Sequence, residues 1–77
     1  MRSFDWGYLK VLRRQNKLKQ QEAAYLFNVV TGRNITTATL SNWENGRTEI
    51  PASSLAALSS IYGEHDMQMF FFEGIGD

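Results

Sequence analysis

The sequence predicts an all-α domain, built as a compact bundle of five short helices without strands. Its 77 residues suffice for one domain with a single hydrophobic core. Apolar side chains recur every three or four positions, which is the spacing of a helix that buries one face. The single proline and several glycines fall between these stretches and separate them.

The first two helices are indicated by their apolar faces and their end signals. The first helix is predicted from about Phe4 to Lys17, with Ser3 as its N-cap. The second begins near Lys19 and ends in the stretch 31–34, where glycine and asparagine tolerate left-handed backbone. The expected buried face of the first helix consists of Phe4, Tyr8, Leu9 and Leu12, with or without Trp6. That of the second helix consists of Ala23, Leu26, Phe27 and Val30.

The third and fourth helices are separated by an Asn-Gly turn. The third is predicted from Thr36 to about Trp43, and Leu40 is expected to point inward together with Trp43, one turn away. Pro51 is expected at the first position of the fourth helix, where its missing N–H costs nothing. The apolar stripe of the fourth helix consists of Leu55, Leu58, Ile61 and Tyr62.

A fifth short helix is predicted over residues 67–72, capped by Asp66. This segment holds two methionines and three phenylalanines, so part of it is expected to cover the core. The remainder is expected to form an interface, either in a homodimer or with a downstream domain. The domain is thus expected over residues 1–72, and residues 73–77 are expected to be a C-terminal tail or the start of a linker.

The composition excludes several classes of protein. There is no cysteine and one histidine, so a disulfide framework is excluded and zinc has almost no ligands. We expect neither a metal nor a cofactor. No apolar run approaches the roughly 20 residues that span a bilayer, and the N-terminus lacks the apolar core of a signal peptide. We therefore expect a cytoplasmic protein.

The charges are unevenly divided along the chain, although the formal net charge is zero. All eight basic residues lie in residues 1–47 beside three acidic ones, which gives this part a net charge of +5. Residues 48–77 hold five acidic residues and no basic one, a net charge of −5. Such a division indicates either a side that faces a polyanion or chance clustering on a solvated surface.

Four segments, in order, resemble the helix-turn-helix domains of phage repressors and Cro proteins, the XRE family. They are residues 9–13, 18–24, 35–47 and 51–63. The most specific piece is the Ser-x-x-Glu-Asn-Gly signature at 41–46. The resemblance implies a DNA-binding fold in which helices 2 and 3 form the helix-turn-helix.

The connection between helices 2 and 3 departs from the family pattern. The family joins these helices by a tight turn, whereas residues 28–33 are an insertion of roughly six residues here. The insertion either lengthens the second helix, which gives an extended helix 2–3 connection, or forms a protruding loop. Arg33 within it is either a further phosphate contact or a solvated loop residue.

The outer face of the third helix carries the candidate base-reading residues. The major groove of DNA admits one α-helix, which needs a polar outer face and an apolar inner face. Asn42 can pair with adenine through two hydrogen bonds, and Thr37 can offer a hydroxyl or a methyl group to a base. This chemistry and the resemblance together indicate Thr37, Ala38, Thr39, Ser41 and Asn42 as base-reading residues.

Phosphate contacts are expected on both sides of this helix. Gln20 stands at the start of the second helix, where side-chain and backbone N–H groups can both meet a phosphate. The resemblance implies that Gln20 binds the DNA backbone on one side and that Asn45 and Arg47 bind it on the other. The full set of candidate phosphate-binding residues is Lys17, Lys19, Gln20, Arg33, Thr36, Asn45 and Arg47.

An ion pair is expected behind this surface. The resemblance implies that Arg13 and Glu44 pair with each other and tie the first helix to the end of the third. Trp43 is expected in the core, because a large aromatic side chain at this spacing packs more often than it contacts DNA.

The sequence therefore predicts a transcriptional regulator, a phage- or bacterial-type repressor that binds a palindromic double-stranded DNA operator as a homodimer. It is expected to be associated with the nucleoid, to bind no membrane and to have no small-molecule substrate. Catalysis is rejected, because there are no paired carboxylates, no nucleophile beside a base and no glycine-rich phosphate loop. The alternative is a protein-interaction module of the same fold, such as an antitoxin, antirepressor or adaptor, with weak DNA binding.

Overall fold

The structure is a computed structural model that describes the backbone of residues 2–73 and the side chains of residues 4–66, 69 and 70. Its elements are β1 (Arg2–Phe4), α1 (Trp6–Gln15), α2 (Gln20–Thr31), α3 (Thr37–Glu44), α4 (Ala52–Tyr62), a 3-10 helix (Met67–Phe70) and β2 (Phe71–Glu73). The two strands pair antiparallel, with Ser3 opposite Phe72. In the described part of the chain, no helix has the length and apolar character needed to cross a membrane.

The prediction of five helices without strands was wrong. The described residues form four α-helices, and the segment expected to be the fifth divides into one 3-10 turn and strand β2. Consecutive phenylalanines suit a strand better than a helix, and β1 supplies the backbone groups with which β2 pairs. Glu73, the first residue of the expected tail or linker, pairs with Arg2, and residues 74–77 lie outside the described residues.

The start of α1 also differs from the prediction. Ser3 and Phe4 belong to β1, and Asp5 takes the N-cap position, so the helix begins at Trp6. The backbone N–H of Asp5 donates to the carbonyl of Phe70 at 2.5 Å, which joins the strand pair to the helix. The helix ends at Gln15 rather than Lys17, because Lys17 adopts left-handed backbone with φ of 58°.

The core lies where the four α-helices and the 3-10 helix meet. Its side chains without solvent exposure include Leu9, Phe27, Leu40, Leu58 and Phe70. Leu40 and Trp43 point inward as predicted, and the Trp43 ring meets the Phe27 ring edge to face, with centroids 5.8 Å apart. The apolar inner side of α3 is therefore fixed against α2, which leaves the other side of α3 free.

The insertion lengthens α2, the first of the two expected alternatives. The helix continues to Thr31 and ends at Gly32, whose φ of 72° places it in the left-handed region. The side chain of Asn28 then holds the connection: its Nδ2 donates to the carbonyl of Ile35 at 3.0 Å, and its Oδ1 accepts from the N–H of Ile35 at 2.8 Å. Val30 was wrongly placed in the buried face, because the added turn extends beyond the core and leaves this side chain 62% exposed.

The helix α4 begins at Ala52, with Pro51 one position earlier than predicted, at the N-cap. Leu55, Leu58 and Tyr62 are buried as the apolar stripe requires. The carbonyl of Tyr62 accepts a hydrogen bond from Asn16 at 3.1 Å, which links the exit of α1 to the end of α4. The carboxyl-terminal ends of α1 and α4 are therefore joined beside the core.

Candidate nucleic-acid interface

The outward side of α3 is short, polar and open at its first turn. Thr36 is the N-cap, and its Oγ1 accepts a hydrogen bond from the backbone N–H of Thr39 at 3.2 Å. Thr36, Thr37 and Ala38 are exposed, whereas Thr39 is half-buried. The first turn of α3 therefore projects side chains of modest size, which permit close approach to a flat surface or into a groove.

Asn42 lies one helical turn after Ala38 on the same side of α3. The side chain is half-buried, and no hydrogen bond within the described residues engages its amide group or the hydroxyl of Thr37. An amide with both a donor and an acceptor free can make a bidentate contact with a ligand. Ser41 is also half-buried, and its oxygens accept from the side chain of Asn45.

The N-terminus of α2 lies beside the C-terminus of α3. Gln20 is the first residue of α2, and its Nε2 donates to Oε1 of Glu44 at 3.1 Å. This contact fixes the direction of the Gln20 side chain and occupies one of its two amide hydrogens. Lys17 and Lys19, in the α1–α2 turn that precedes Gln20, are exposed.

Arg13 and Glu44 form a buried ion pair behind this surface. The Nε and Nη2 atoms of Arg13 donate to the two carboxylate oxygens of Glu44 at 2.7 and 3.2 Å. The Nη1 atom donates to the carbonyl of Leu18 at 2.8 Å, so the guanidinium group also fixes the α1–α2 turn. Burial of the Tyr62 hydroxyl, assisted by the negative charge of Glu44, raises the pKa of Tyr62.

The turn after α3 brings together Asn45, Gly46 and Arg47. Nδ2 of Asn45 donates to the carbonyl of Ser41 at 2.9 Å, so this side chain closes the helix end. The backbone N–H of Arg47 donates to the carbonyl of Asn42 at 2.9 Å, and the Arg47 side chain is exposed. Asn45 and Arg47 thus flank the exit of α3, on the opposite end from the Thr36 cap.

Arg33, for which two alternatives were open, makes contacts within the chain. Its Nη1 donates to Oγ of Ser54 at 2.5 Å and its Nη2 to Oγ of Ser53 at 2.9 Å. The guanidinium group therefore links the α2–α3 connection to the first turn of α4. Sequence reasoning did not anticipate this contact, because residues 33 and 53 are joined only by the tertiary fold.

Trp6 was not among the residues singled out for this surface. Its indole ring lies against Gly46, where an added Cβ would stand 2.7 Å from Cδ2 of Trp6. The side chain is 45% exposed, so it is a surface residue as well as a packing residue. The sequence offered one signal, an aromatic residue at the start of a helix, which more often indicates core packing.

Residues 9–66 match the family model described as helix-turn-helix (HTH_3). The chain belongs to the helix-turn-helix family of the XRE, or λ-repressor-like, type. The match spans 58 of the 77 residues and contains all of α2, α3 and α4. Neither the curated proteins nor the solved structures compared with the chain gave a match.

Membership assigns roles to the elements of this helix-turn-helix domain. The pair α2 and α3 is the motif that gives the family its name, and the second helix of such a pair is the one that enters the major groove. Domains of this family bind DNA and regulate transcription. The chain is therefore a DNA-binding domain of the transcription-regulator type.

Proposed function

We propose that the protein binds double-stranded DNA sequence-specifically, with α3 in the major groove, and acts as a repressor. The observation that carries the proposal is the division of α3 into two sides. Leu40 and Trp43 are buried on one side, whereas Thr37, Ala38 and Asn42 lie on the side away from the core. A helix that reads base edges needs this division, because only a polar outer side can pair with them.

Base recognition is assigned to Asn42 and Thr37, with Ala38, Thr39 and Ser41 around them. The free amide of Asn42 matches the donor and acceptor that adenine presents in the major groove. The hydroxyl and methyl of Thr37 suit a polar base edge or a thymine methyl group. No arginine or lysine lies on this side of α3, so we expect A·T pairs to contribute more to the operator than guanine contacts.

Phosphate contacts are proposed at both ends of the motif. At the α2 end, Gln20 is aimed by Glu44 and retains one amide hydrogen for a phosphate oxygen, and Lys17 and Lys19 add positive charge. At the α3 exit, Arg47 is exposed and Asn45 holds the turn. Contacts on both sides fix the register of a reading helix without specifying sequence.

Arg33 and Thr36 complete the proposed phosphate-binding set. The guanidinium group of Arg33 has five N–H donors, and its contacts with Ser53 and Ser54 leave others for a phosphate near the start of α4. Thr36 is exposed at the N-cap of α3, next to the base-reading residues. Both residues lie in the α2–α3 connection, which precedes the reading helix.

The proposal includes a homodimer on a palindromic operator in the cytoplasm. A single small domain makes few phosphate contacts, and two-fold pairing doubles them on a two-fold symmetric site. Within the segment that we expected to be shared between core and interface, Phe70 is buried and Met69 is 51% exposed. Met69 therefore remains available to a second copy.

Selection of random duplex DNA by the purified protein at near-physiological salt tests this function. We expect enrichment of a two-fold symmetric motif with half-sites about one helical turn apart. In a parallel selection, Asn42→Ala should lose preference at one position in each half-site. Failure of the folded protein to enrich any motif would contradict the proposal and favour the interaction module.

A further inference from the structure

Trp6 connects a part of the chain outside the family match to the turn that follows α3. It is the first residue of α1 and precedes the matched residues 9–66. An added Cβ on Gly46 would stand 2.7, 2.8 and 3.0 Å from Cδ2, Cε3 and Cε2 of the indole. The fused edge of the ring therefore lies directly on Gly46, and no larger residue fits there without moving the ring.

The position of Trp6 is set by aromatic packing that reaches into the core. The Phe4 ring meets the Trp6 ring edge to face at 6.3 Å and stacks on the fully buried Phe70 ring at 6.0 Å. The N–H of Asp5, directly before Trp6, donates to the carbonyl of Phe70. The indole is therefore held by Phe4 of β1 and, through Phe4, by Phe70, and neither of these residues belongs to α3.

The turn on which Trp6 lies is the proposed phosphate-binding turn at 45–47. Gly46 has φ of 69°, a left-handed conformation that side chains disfavour. The peptide groups of Gly46 and Arg47 are held by the carbonyls of Trp43 and Asn42. The indole lies against the backbone of Gly46 in this turn, between the exposed residues Asn45 and Arg47.

We propose that Trp6 is a positioning residue for DNA binding: it holds the 45–47 turn so that Arg47 meets a DNA phosphate. This inference rests on the proposed function. Trp6 lies outside the matched residues 9–66, so this role belongs to the N-terminal residues that precede the family match. We expect the bases read by α3 to be unaffected, because the indole lies against Gly46, in the turn beyond the end of α3.

The test compares Trp6→Ala, Trp6→Phe and Arg47→Gln for binding to a duplex that carries the selected motif, over a series of salt concentrations. We expect Trp6→Ala to weaken binding about tenfold, which is the effect of losing one hydrogen bond to a charged group. The negative slope of log K against log salt should become shallower by about 0.9, as it does when one phosphate contact is lost. Trp6→Phe should retain most of the affinity, because its flat ring still covers Gly46.

A double variant separates positioning from general support of the fold. If Trp6 acts through Arg47, Trp6→Ala should add little to the loss already caused by Arg47→Gln. Binding is measured at a temperature at which circular dichroism shows each variant folded. If Trp6→Ala does not fold, Trp6→Leu takes its place, since it keeps apolar cover but not the flat ring.

The outcomes distinguish this inference from the proposed function. The positioning role would be overturned if a folded Trp6→Ala or Trp6→Leu variant kept the wild-type affinity and salt slope. It would also be overturned if the Trp6 substitution lowered the affinity equally in the wild-type protein and in Arg47→Gln. Either result would leave the proposed function standing. An unchanged slope in Arg47→Gln would also overturn the positioning role, because the turn would then make no phosphate contact. Absence of salt-dependent binding by the wild-type protein would overturn the proposed function, and the inference with it.

Discussion

At the scale of single residues, Glu44 links the packing of the core to the proposed DNA interface. Its carboxylate accepts two hydrogen bonds from Arg13 and one from Gln20. The side chains of Arg13 and Glu44 are 8% and 1% exposed, so water cannot replace either partner. The same carboxylate thus stabilises the α1–α3 contact and aims a residue of the proposed DNA interface.

Glu44→Ala is expected to destabilise the fold by about 3–5 kcal/mol, because it leaves the buried charge of Arg13 without a partner. Urea denaturation followed by circular dichroism measures this loss. The base preference of any remaining folded protein should be unchanged. An unaltered free energy of unfolding would contradict the structural role of the pair.

The double variant Arg13→Met/Glu44→Leu is the matched control. Replacing both charges by apolar side chains of similar volume removes the unpaired charge, so its stability should recover toward the wild-type value. Gln20 loses its acceptor in both proteins, and therefore phosphate contact by Gln20 should weaken in both. The pair of variants separates the contribution of Glu44 to folding from its contribution to binding.

The residues of the interface differ in how far the sequence could predict them. The Ser-x-x-Glu-Asn-Gly signature fixes the outward position of Asn42 and the inward position of Trp43, because both follow from helical spacing. The contacts of Arg33 with Ser53 and Ser54 depend on the tertiary approach of α4, which no local pattern encodes. Trp6 was missed for the same reason.

At the scale of elements, Asn28 determines how the lengthened α2 is joined to α3. Its amide donates one hydrogen bond to the carbonyl of Ile35 and accepts one from the N–H of Ile35. We expect Asn28→Ala to reduce stability by about 1–3 kcal/mol, since the half-buried N–H and C=O groups of Ile35 lose their partners. Asn28→Asp keeps the acceptor for the N–H of Ile35 but sets a carboxylate oxygen against the carbonyl oxygen of Ile35, so its loss of stability should be at least as large.

Hydrogen exchange of the Ile35 amide provides the local measurement for these variants. Exchange should be fastest in Asn28→Ala and intermediate in Asn28→Asp, because the aspartate can still accept from this N–H. Equal protection in the wild-type protein and Asn28→Ala would show that the connection does not depend on this side chain.

The link between α1 and the exit of α4 makes stability depend on pH. The Tyr8 hydroxyl donates to Oε2 of Glu64 at 2.5 Å, and this bond lowers the pKa of Glu64 below its ordinary value of 4.5. The bond therefore contributes stability above about pH 4.5, and the contribution is lost as the pH falls through the lowered pKa. The same bond raises the pKa of Tyr8 above 10.0, so the contribution is also lost at high pH.

Tyr8→Phe should accordingly be less stable than the wild-type protein at neutral pH, with a difference that disappears in acid and in strong alkali. Urea denaturation at a series of pH values measures it. Glu64→Gln is the control, since its amide oxygen still accepts from Tyr8 but does not titrate. A difference between Tyr8→Phe and wild type that stays constant across this range would contradict the assignment.

The boundaries of the elements were predictable where they depend on local signals. Thr36 begins α3 through its side-chain cap, and Gly32 ends α2 through its left-handed backbone. As a result, α3 is found within one residue of its predicted span. The strands were not predictable, because β1 and β2 exist only as partners of each other across nearly the whole chain. A three-residue strand has no periodicity long enough to recognise.

At the scale of the whole molecule, the charges are divided along the chain, so the net charge of zero does not exclude binding to DNA. The net charge of +5 belongs to residues 1–47, which contain α1, α2 and α3, whereas residues 48–77, which contain α4, hold five acidic residues and no lysine or arginine. A local excess of positive charge attracts a polyanion even where the net charge of the whole chain is zero. We therefore expect the part of the molecule formed by residues 1–47 to face the DNA.

The salt dependence of binding tests this orientation with variants of equal charge. Lys19→Gln and Arg14→Gln each remove one positive charge from an exposed residue, but only Lys19 belongs to the proposed phosphate-binding set. For Lys19→Gln, the negative slope of log K against log salt should become shallower by about 0.9, the effect of one lost phosphate contact. Arg14→Gln should keep the wild-type slope. Equal slopes for the two variants would show that net charge alone, and not the placement of Lys19 beside α2, governs the attraction to DNA.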